Sequence, residues 1–318
     1  MCWKILINDG MENSGQEALK KFGFEISNQK ISQVELNDQL PAFDGIIIRS
    51  ATKVRKELID LCPKLKFIGR GGVGLDNVDV EYALSKGIRI INTPAASSKS
   101  VAELTMAHLL CITRGLQISN RNLKDAESFN TLKKEASSYT EIAGKTLLLI
   151  GFGRIGRELA KMAFGCDMNL IVFDPFIERA EINFDIQGQK MVIPLIMIKE
   201  LMSGLKQADY ISLHSPNIGK PILSAEEFNQ MKNGVFIINT SRGENLDEEA
   251  LLNAIENGIV AGAGLDVFMN EPSINARLIR HPKISISSHI GASTMEAQER
   301  IALELVEKIE ALYTGWKL

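Results

Sequence analysis

At 318 residues the chain is long for one ordinary hydrophobic core and comfortable for two domains. A hydrophobic content of 45%, a charged content of 24% and a net charge of -3 place it among soluble globular proteins, and exclude the basic footprint of a nucleic-acid or anionic-membrane binder. Four scattered cysteines (Cys2, Cys62, Cys111, Cys166) show no C-x-x-C and no Cys/His ligand spacing, so neither a disulfide framework nor a metal site is expected.

The opening residues MCWKILINDGMENSG carry no basic n-region and no long apolar stretch, and do not read as a signal peptide. No apolar run reaches the length of a membrane span, so the expectation is a reduced, cytoplasmic, soluble protein. Short apolar runs then alternate with helical patterns. Residues 4–9, 45–50, 65–70 and 88–93 read as strands, with helical segments such as 12–23 and 55–62 between them. Strands with few alternating polar positions belong to parallel sheets buried on both faces. Residues 99–116 predict a long helix, and 117–143 a helix continuation followed by a surface loop.

A second α/β series begins at KTLLLIGFGRIG, residues 145–156, with strands expected at 169–174, 209–214, 235–240, 260–268 and 283–288. Residues 293–315 predict a closing helix. Ser293 and Glu296 supply a capping box, Ile301, Leu305, Ile309 and Leu312 the apolar stripe, and Gly315 the stop.

The pattern G-x-G-x-x-G occurs twice, at 69–74 and 151–156. The second has every neighbour that dinucleotide binding needs. A buried strand enters it and a helix leaves it. Asp174 ends the next strand, close to the spacing of about 20 residues at which a carboxylate meets the ribose. Gly151 permits the tight turn, Gly153 lets backbone approach a pyrophosphate, and Gly156 lets helix pack on strand. Unpaired N–H groups and the positive helix dipole then face the phosphates. Asp174 repels a 2′-phosphate and no arginine directly follows it, so NAD is favoured over NADP. The first match lacks a following acid, since its next strand ends at Asn92 and Thr93. It serves either as an N–H nest for an anion or as a place for close backbone approach.

Hydride removal from an alcohol leaves a proton for a base, and histidine suits that role near neutral pH. An arginine suits a hydroxy acid's carboxylate. Three residues follow three strands of the dinucleotide half: Arg242 in NTSRG, Glu271 in MNEP and His289 in SSHIG. Placed there they converge on one crevice, with His289 as acid/base, Glu271 orienting its imidazole, and Arg242 gripping substrate. Taken singly, Arg242 also fits a salt-bridge residue before DEEALL, and Glu271 a solvated turn residue before Pro272. Among the other histidines, His108 lies inside a helix as a packed or surface residue, and His281 is a solvated loop residue. His214, which ends a strand, is the rival to His289.

These segments together resemble the D-isomer-specific 2-hydroxyacid dehydrogenases, and within them the phosphoglycerate dehydrogenase branch. The resemblance runs through GRGGVGLDNVDVEYALSKGIRIINTP, SVAEL, GKTLLLIGFGRIGRELAKMA, NTSRGENLDEEALLNAI, AGAGLDVFMNEP and HIGASTMEAQ. It implies two doubly wound parallel-sheet domains of the α/β class, a Rossmann NAD-binding domain at 95–292 inserted in a flavodoxin-like substrate domain made of 1–94 and 293–318. It implies Arg242, Glu271 and His289 as catalytic residues. NAD contacts are implied from Gly153, Arg154, Ile155 and Asp174, from His214, Ser215 and Pro216, from Thr240, and from Asp266 near the nicotinamide amide. Arg49 and Arg70 match substrate-binding arginines, with Lys53 nearby and Gly72 and Val73 in the adjoining glycine loop. A homodimer built around the 99–116 helix is implied.

The expected reaction is NAD-dependent oxidation of 3-phospho-D-glycerate to 3-phosphohydroxypyruvate, the entry to serine. An unphosphorylated acid such as glycerate/hydroxypyruvate or D-lactate is the alternative, and a non-catalytic NAD(H)-sensing protein of the same fold is a third reading. The chain departs from the family pattern at Ser97, where asparagine is usual, and at Glu244 and Asn245 in the segment after Arg242. The stretch after His214 is short, and no regulatory domain is expected.

Overall fold

The computed structural model describes residues 2–316. They divide into two compact units, one running to Ser98 and resuming at Ala292, the other spanning Lys99–Gly291. The boundaries expected at 94/95 and 292/293 lie at 98/99 and 291/292.

In the first unit the described strands are β1 (Lys4–Ile7), β2 (Glu25–Ser27), β3 (Gly45–Ile48), β4 (Phe67–Arg70) and β5 (Arg89–Asn92), ordered β2-β1-β3-β4-β5 and parallel throughout. That is the flavodoxin-like order. The apolar run of β3 is buried at every position, as a strand covered on both faces requires. The helix Met295–Trp316 returns to this unit and buries Ile301, Leu305 and Ile309 beside Ile47 and Phe67. Trp3 joins the two stretches of chain, its ring meeting Phe24 at 6.0 Å, Tyr313 at 4.8 Å and Trp316 at 6.0 Å between centroids.

The start and stop of this helix differ from expectation. Thr294, not Ser293, caps it, its hydroxyl accepting the Ala297 N–H at 3.2 Å, because Gly291 and Ala292 are taken up in the preceding turn. Gly315 does not close it, because the helix runs on to Trp316, whose ring packs on Trp3.

In the second unit, β6 (Thr146–Ile150), β7 (Asn169–Phe173), β10 (Ile196–Met197), β11 (Tyr210–Leu213), β12 (Val235–Asn239), β13 (Val260–Leu265) and β14 (Ile284–Ile286) form a parallel sheet. Its order is β10-β7-β6-β11-β12-β13-β14. Strand order reverses between β6 and β11, the switch point at which such sheets bind ligands at their C-terminal ends. The helix Arg154–Phe164 buries Gly156, Leu159, Ala160 and Ala163, one face at helical spacing.

Two regions depart from the sequence reading. Residues 181–194, assigned no element from sequence, form an antiparallel hairpin of β8 (Glu181–Ile186) and β9 (Gln189–Pro194), about Gln187 and Gly188 at φ 53 and 85°. Two left-handed residues match the right-handed strand twist that a two-residue hairpin needs. The expected helix at 99–116 spans Ser98–Thr113. Gly115, at φ 60°, breaks it before Leu116–Asn122, and the helix Ala126–Glu135 follows where a loop was expected.

Trp3→Ala removes a buried indole that touches both stretches of the first unit, and should cost about 3–5 kcal/mol. Calorimetry should show the first unit's transition lowered and the second unit's unchanged.

Candidate active site

The glycine loop after β6 has the geometry its spacing predicts. Gly151 sits at φ 90°, and a Cβ there would lie 2.9 Å from the His214 carbonyl carbon. A Cβ on Gly156 would lie 2.6 Å from the Gly151 oxygen, so only glycine lets this helix approach the strand. At Gly153 the corresponding space is open, and no side chain caps the helix Arg154–Phe164. The N–H groups of its first turn are thus presented to an anion. Arg154 opens this helix, and Ile155 packs partly buried against the core below.

Asp174 lies at the end of β7. Its Oδ2 accepts the Phe152 N–H at 2.8 Å and its Oδ1 the Phe176 N–H at 2.9 Å. Each carboxylate oxygen keeps a second acceptor site, so the group can still receive ribose hydroxyls. An open cradle, a bare helix start and an acceptor at the next strand end fit NAD.

His214 extends β11, its N–H donating to the Ile150 carbonyl at 2.8 Å. Its Nε2 meets Ser212 Oγ at 2.9 Å, its Nδ1 is buried without a partner, and burial pushes its pKa down to about 4. A half-buried ring whose pKa is lowered in this way is poorly placed to take up a proton at neutral pH, which favours His289 over it. Ser215 and Pro216 follow in the loop. The Ser215 carbonyl accepts from Asn245 Nδ2 at 2.8 Å, and Asn245 also reaches Ser241 Oγ at 3.1 Å. This fully buried asparagine, met in the sequence only as a departure, ties the Arg242 loop to the loop after β11. Glu244 beside it is half-buried. Thr240 turns its hydroxyl to Thr105 at 2.8 Å.

Arg242, Glu271 and His289 follow β12, β13 and β14 and come together. His289 Nδ1 lies 2.8 Å from Glu271 Oε2, while Glu271 Oε1 accepts the Phe268 N–H at 3.0 Å. The hydrogen bond to Glu271 raises the His289 pKa above its ordinary value. Burial opposes that rise, the charges of Glu271 and Asp266 add to it, and Arg242 works against it. Glu271 moves the opposite way. Burial acts to raise it but is outweighed by the bonds from His289 and Phe268 and by the charges of His289 and Arg242. Arg242 therefore stands within electrostatic reach of both partners, with its Nη1 donating to the Ser241 carbonyl at 2.7 Å.

His289 itself adopts a left-handed backbone at φ 55°. Asp266, 1% exposed, holds it there. The Asp266 carbonyl accepts the His289 N–H at 2.9 Å, Oδ1 accepts the Ile290 N–H at 2.9 Å, and Oδ2 accepts the Gly291 N–H at 2.9 Å. The Ser287 hydroxyl donates to Oδ1 at 2.6 Å. The carboxylate expected beside the nicotinamide is thus engaged by the turn that carries the histidine.

In the first unit, Arg49 follows β3 and Arg70 ends β4. Arg49 Nη2 lies 3.9 Å from Glu12 Oε1, a loose pairing. Gly72, at φ 141°, leaves room for the Arg70 guanidinium, which a Cβ there would overlap. The half-exposed Val73 gives its carbonyl to Asn92 Nδ2 at 2.9 Å. Lys53 has its backbone paired with the Gln33 side chain, and Ser97 is buried. Among the described residues no His/Cys/Asp/Glu cluster could hold a metal ion, and no helix is long and apolar enough to cross a membrane.

Residues 106–291 match the family described as D-isomer specific 2-hydroxyacid dehydrogenase, NAD binding domain. The chain is 39% identical over 313 residues to a hydroxypyruvate reductase of Thermotoga maritima, covering 96% of this chain and 97% of that protein. It is 38% identical over 310 residues to a D-3-phosphoglycerate dehydrogenase of Bacillus subtilis, covering 96% of this chain but 56% of that protein, so it spans little more than half of that longer relative. A crystal structure of a Thermus thermophilus protein superposes with a TM-score of 0.84 at 30% identity, covering 98% of this chain and 97% of that one.

Asp174→Ala should lower the ratio of kcat/KM for NAD over that for NADP by about tenfold, the worth of one charged hydrogen-bond acceptor. Steady-state kinetics with the two cofactors checks this, and an unchanged ratio removes Asp174 from cofactor choice.

Proposed function

The chain belongs to the D-isomer-specific 2-hydroxyacid dehydrogenases, an NAD-dependent oxidoreductase family, and from that membership we propose that it oxidises 3-phospho-D-glycerate to 3-phosphohydroxypyruvate in the cytoplasm, at the entry to serine. The observation that carries the chemistry is the His289–Glu271 pair at 2.8 Å. With Nδ1 committed to Glu271, neutral His289 presents Nε2 as the proton acceptor for the substrate hydroxyl. In the reverse direction the imidazolium, favoured by the same carboxylate, returns that proton to the carbonyl oxygen. Bound NAD supplies the hydride acceptor. Arg242 holds the substrate carboxylate and polarises the forming carbonyl. Gly151, Gly153, Arg154, Ile155, Gly156 and Asp174 hold the cofactor, with His214, Ser215, Pro216, Thr240 and Asp266 lining its crevice.

The choice of a phosphorylated acid rests on Arg49 and Arg70, both at strand C-termini with the glycine loop of Gly72 and Val73 alongside. Glycerate/hydroxypyruvate is the second reading. It is favoured by the near-complete two-way match to the Thermotoga maritima reductase, and by Glu12, which already faces Arg49 at 3.9 Å. We take the working form to be a homodimer, on the strength of exposed Leu116 and Phe129 on the two helices that follow Thr113 and of exposed Leu123 between them.

NADH oxidation by the purified protein should be fastest, as kcat/KM, with 3-phosphohydroxypyruvate among a set including hydroxypyruvate, glyoxylate, pyruvate and 2-oxoglutarate. Arg49→Met and Arg70→Met should then raise its KM about tenfold or more, the worth of a charge-assisted phosphate contact, while leaving the KM for hydroxypyruvate little changed. Preference for hydroxypyruvate moves the protein to the unphosphorylated branch. NADH binding without turnover on any acid defeats the enzymatic reading.

A further inference from the structure

A second histidine stands behind the first. His108 lies in the helix Ser98–Thr113, 4% exposed, with both ring nitrogens paired. Its Nδ1 is 2.9 Å from Ser285 Oγ and its Nε2 is 2.8 Å from Ser287 Oγ. The two serines alternate along one face of the chain in and just after β14. Room for the ring comes from β13. Gly264 stands opposite Ser285 in register, and a Cβ there would lie 2.6 Å from the His108 Cβ.

The direction of each hydrogen bond follows from the last link. The Ser287 hydroxyl donates to Asp266 Oδ1 at 2.6 Å, which uses its one hydrogen. Its oxygen must then accept from His108 Nε2–H. Burial pushes the His108 pKa down, against the charge of Asp266, which favours the neutral ring. Nδ1 of that tautomer has no hydrogen and accepts from the Ser285 hydroxyl at 2.9 Å, in preference to the longer contact of that hydroxyl with Cys111 Sγ at 3.6 Å. The donors thus run one way, Ser285 to His108 to Ser287 to Asp266, and end on the carboxylate that accepts the Ile290 and Gly291 N–H groups of the His289 turn. A buried imidazole needs partners for its nitrogens in any role; the connection through Ser287 to that carboxylate is what packing alone does not call for.

We infer that His108 is a positioning residue. Through Ser287 and Asp266 it fixes the left-handed turn that keeps the His289 imidazole on Glu271. This rests on the reading of His289 as the acid/base. The charged groups facing His289 are Glu271 and Asp266, beyond and at the end of β13, and Arg242 beyond β12. Loosening the turn weakens the contact with Glu271, the largest cause of the raised His289 pKa. The midpoint of His289 should therefore fall toward its ordinary value.

The test is an NMR titration of the imidazole signals in the whole protein, with His289 assigned by its loss in His289→Asn, alongside kcat, KM and NADH affinity. His108→Leu should lower the His289 midpoint by about half a pH unit and kcat by about tenfold, the worth of one hydrogen bond in a buried network. NADH affinity should fall less than kcat does, since the glycine loop is untouched. Ser287→Ala should do the same, and the double variant should be no worse than either single one, because all three break one chain. His108→Gln, whose amide N–H can reach Ser287, should restore both the midpoint and kcat. A lowered Tm with an unchanged midpoint in His108→Leu and Ser287→Ala, or additive losses, would make His108 a packing residue and overturn the proposal. Should His108→Leu fail to fold, Ser287→Ala decides alone. His289→Asn separates the two readings. Normal turnover there sinks the acid/base assignment, whereas its loss together with an unmoved midpoint in the other variants sinks only the role of His108.

Discussion

The carboxylate of Asp266 accepts hydrogen bonds from the Ile290 N–H, the Gly291 N–H and the Ser287 hydroxyl, and its own carbonyl accepts from His289. The turn that carries His289 depends on that one buried anchor. A left-handed backbone costs a non-glycine residue about 1–2 kcal/mol, and His289 adopts it at φ 55°. The bonds to Asp266 offset this cost and stop β14 at a fixed point. The imidazole is thereby aimed at Glu271 by the backbone rather than by its own rotamer freedom. Charge-assisted bonds of this kind are about twice as strong as neutral ones, so the carboxylate is a better anchor than an amide would be.

The electrostatics of the site follow from where that turn ends. His289 lies between two carboxylates and one guanidinium. Glu271 in contact and Asp266 beneath favour the imidazolium, while Arg242 disfavours it. The balance raises the His289 pKa above its ordinary value. Glu271 is lowered against the opposing effect of its burial, first by its bonds with His289 and Phe268 and then by the charges of His289 and Arg242, which favours its carboxylate form as the acceptor for His289 Nδ1–H. The histidine at the end of β11 shows the opposite environment. His214 is half-buried, its ring paired through Nε2, and burial pushes its pKa down to about 4. Two histidines at the ends of strands in one sheet are thus shifted in opposite directions, one by burial and the other by a carboxylate.

Much of this was legible in the sequence, because the periodic features carry it. Buried β-branched runs such as GIII and TLLLI fix the strands. The glycine spacing at 151–156 fixes the cofactor loop, and residues just beyond three apolar runs are those that meet. What was not legible depends on tertiary hydrogen bonds. Nothing local to SSHIG signals a left-handed histidine, since Asp266, distant in sequence, imposes it. His108 reads as an ordinary helical residue because the serines that satisfy it lie far along the chain. The hairpin of β8 and β9 is hidden for a different reason. Its turn uses Gln187–Gly188 rather than the asparagine–glycine pair that marks such hairpins most strongly, and its second strand is mostly exposed and lacks a clear alternation. The closing helix began one residue later than its capping pattern suggested, since Ser293 and Thr294 offer equivalent hydroxyls and only the preceding turn chooses between them.

The most direct measurement is the pH dependence of kcat/KM in both directions on the unmodified protein. One group, neutral for oxidation and protonated for reduction, should govern both. The oxidation rate should rise, and the reduction rate fall, through a common midpoint above the ordinary histidine value of about 6.5, as the raised His289 requires. Two different midpoints, or a common one below that value, would contradict a His289–Glu271 acid/base pair.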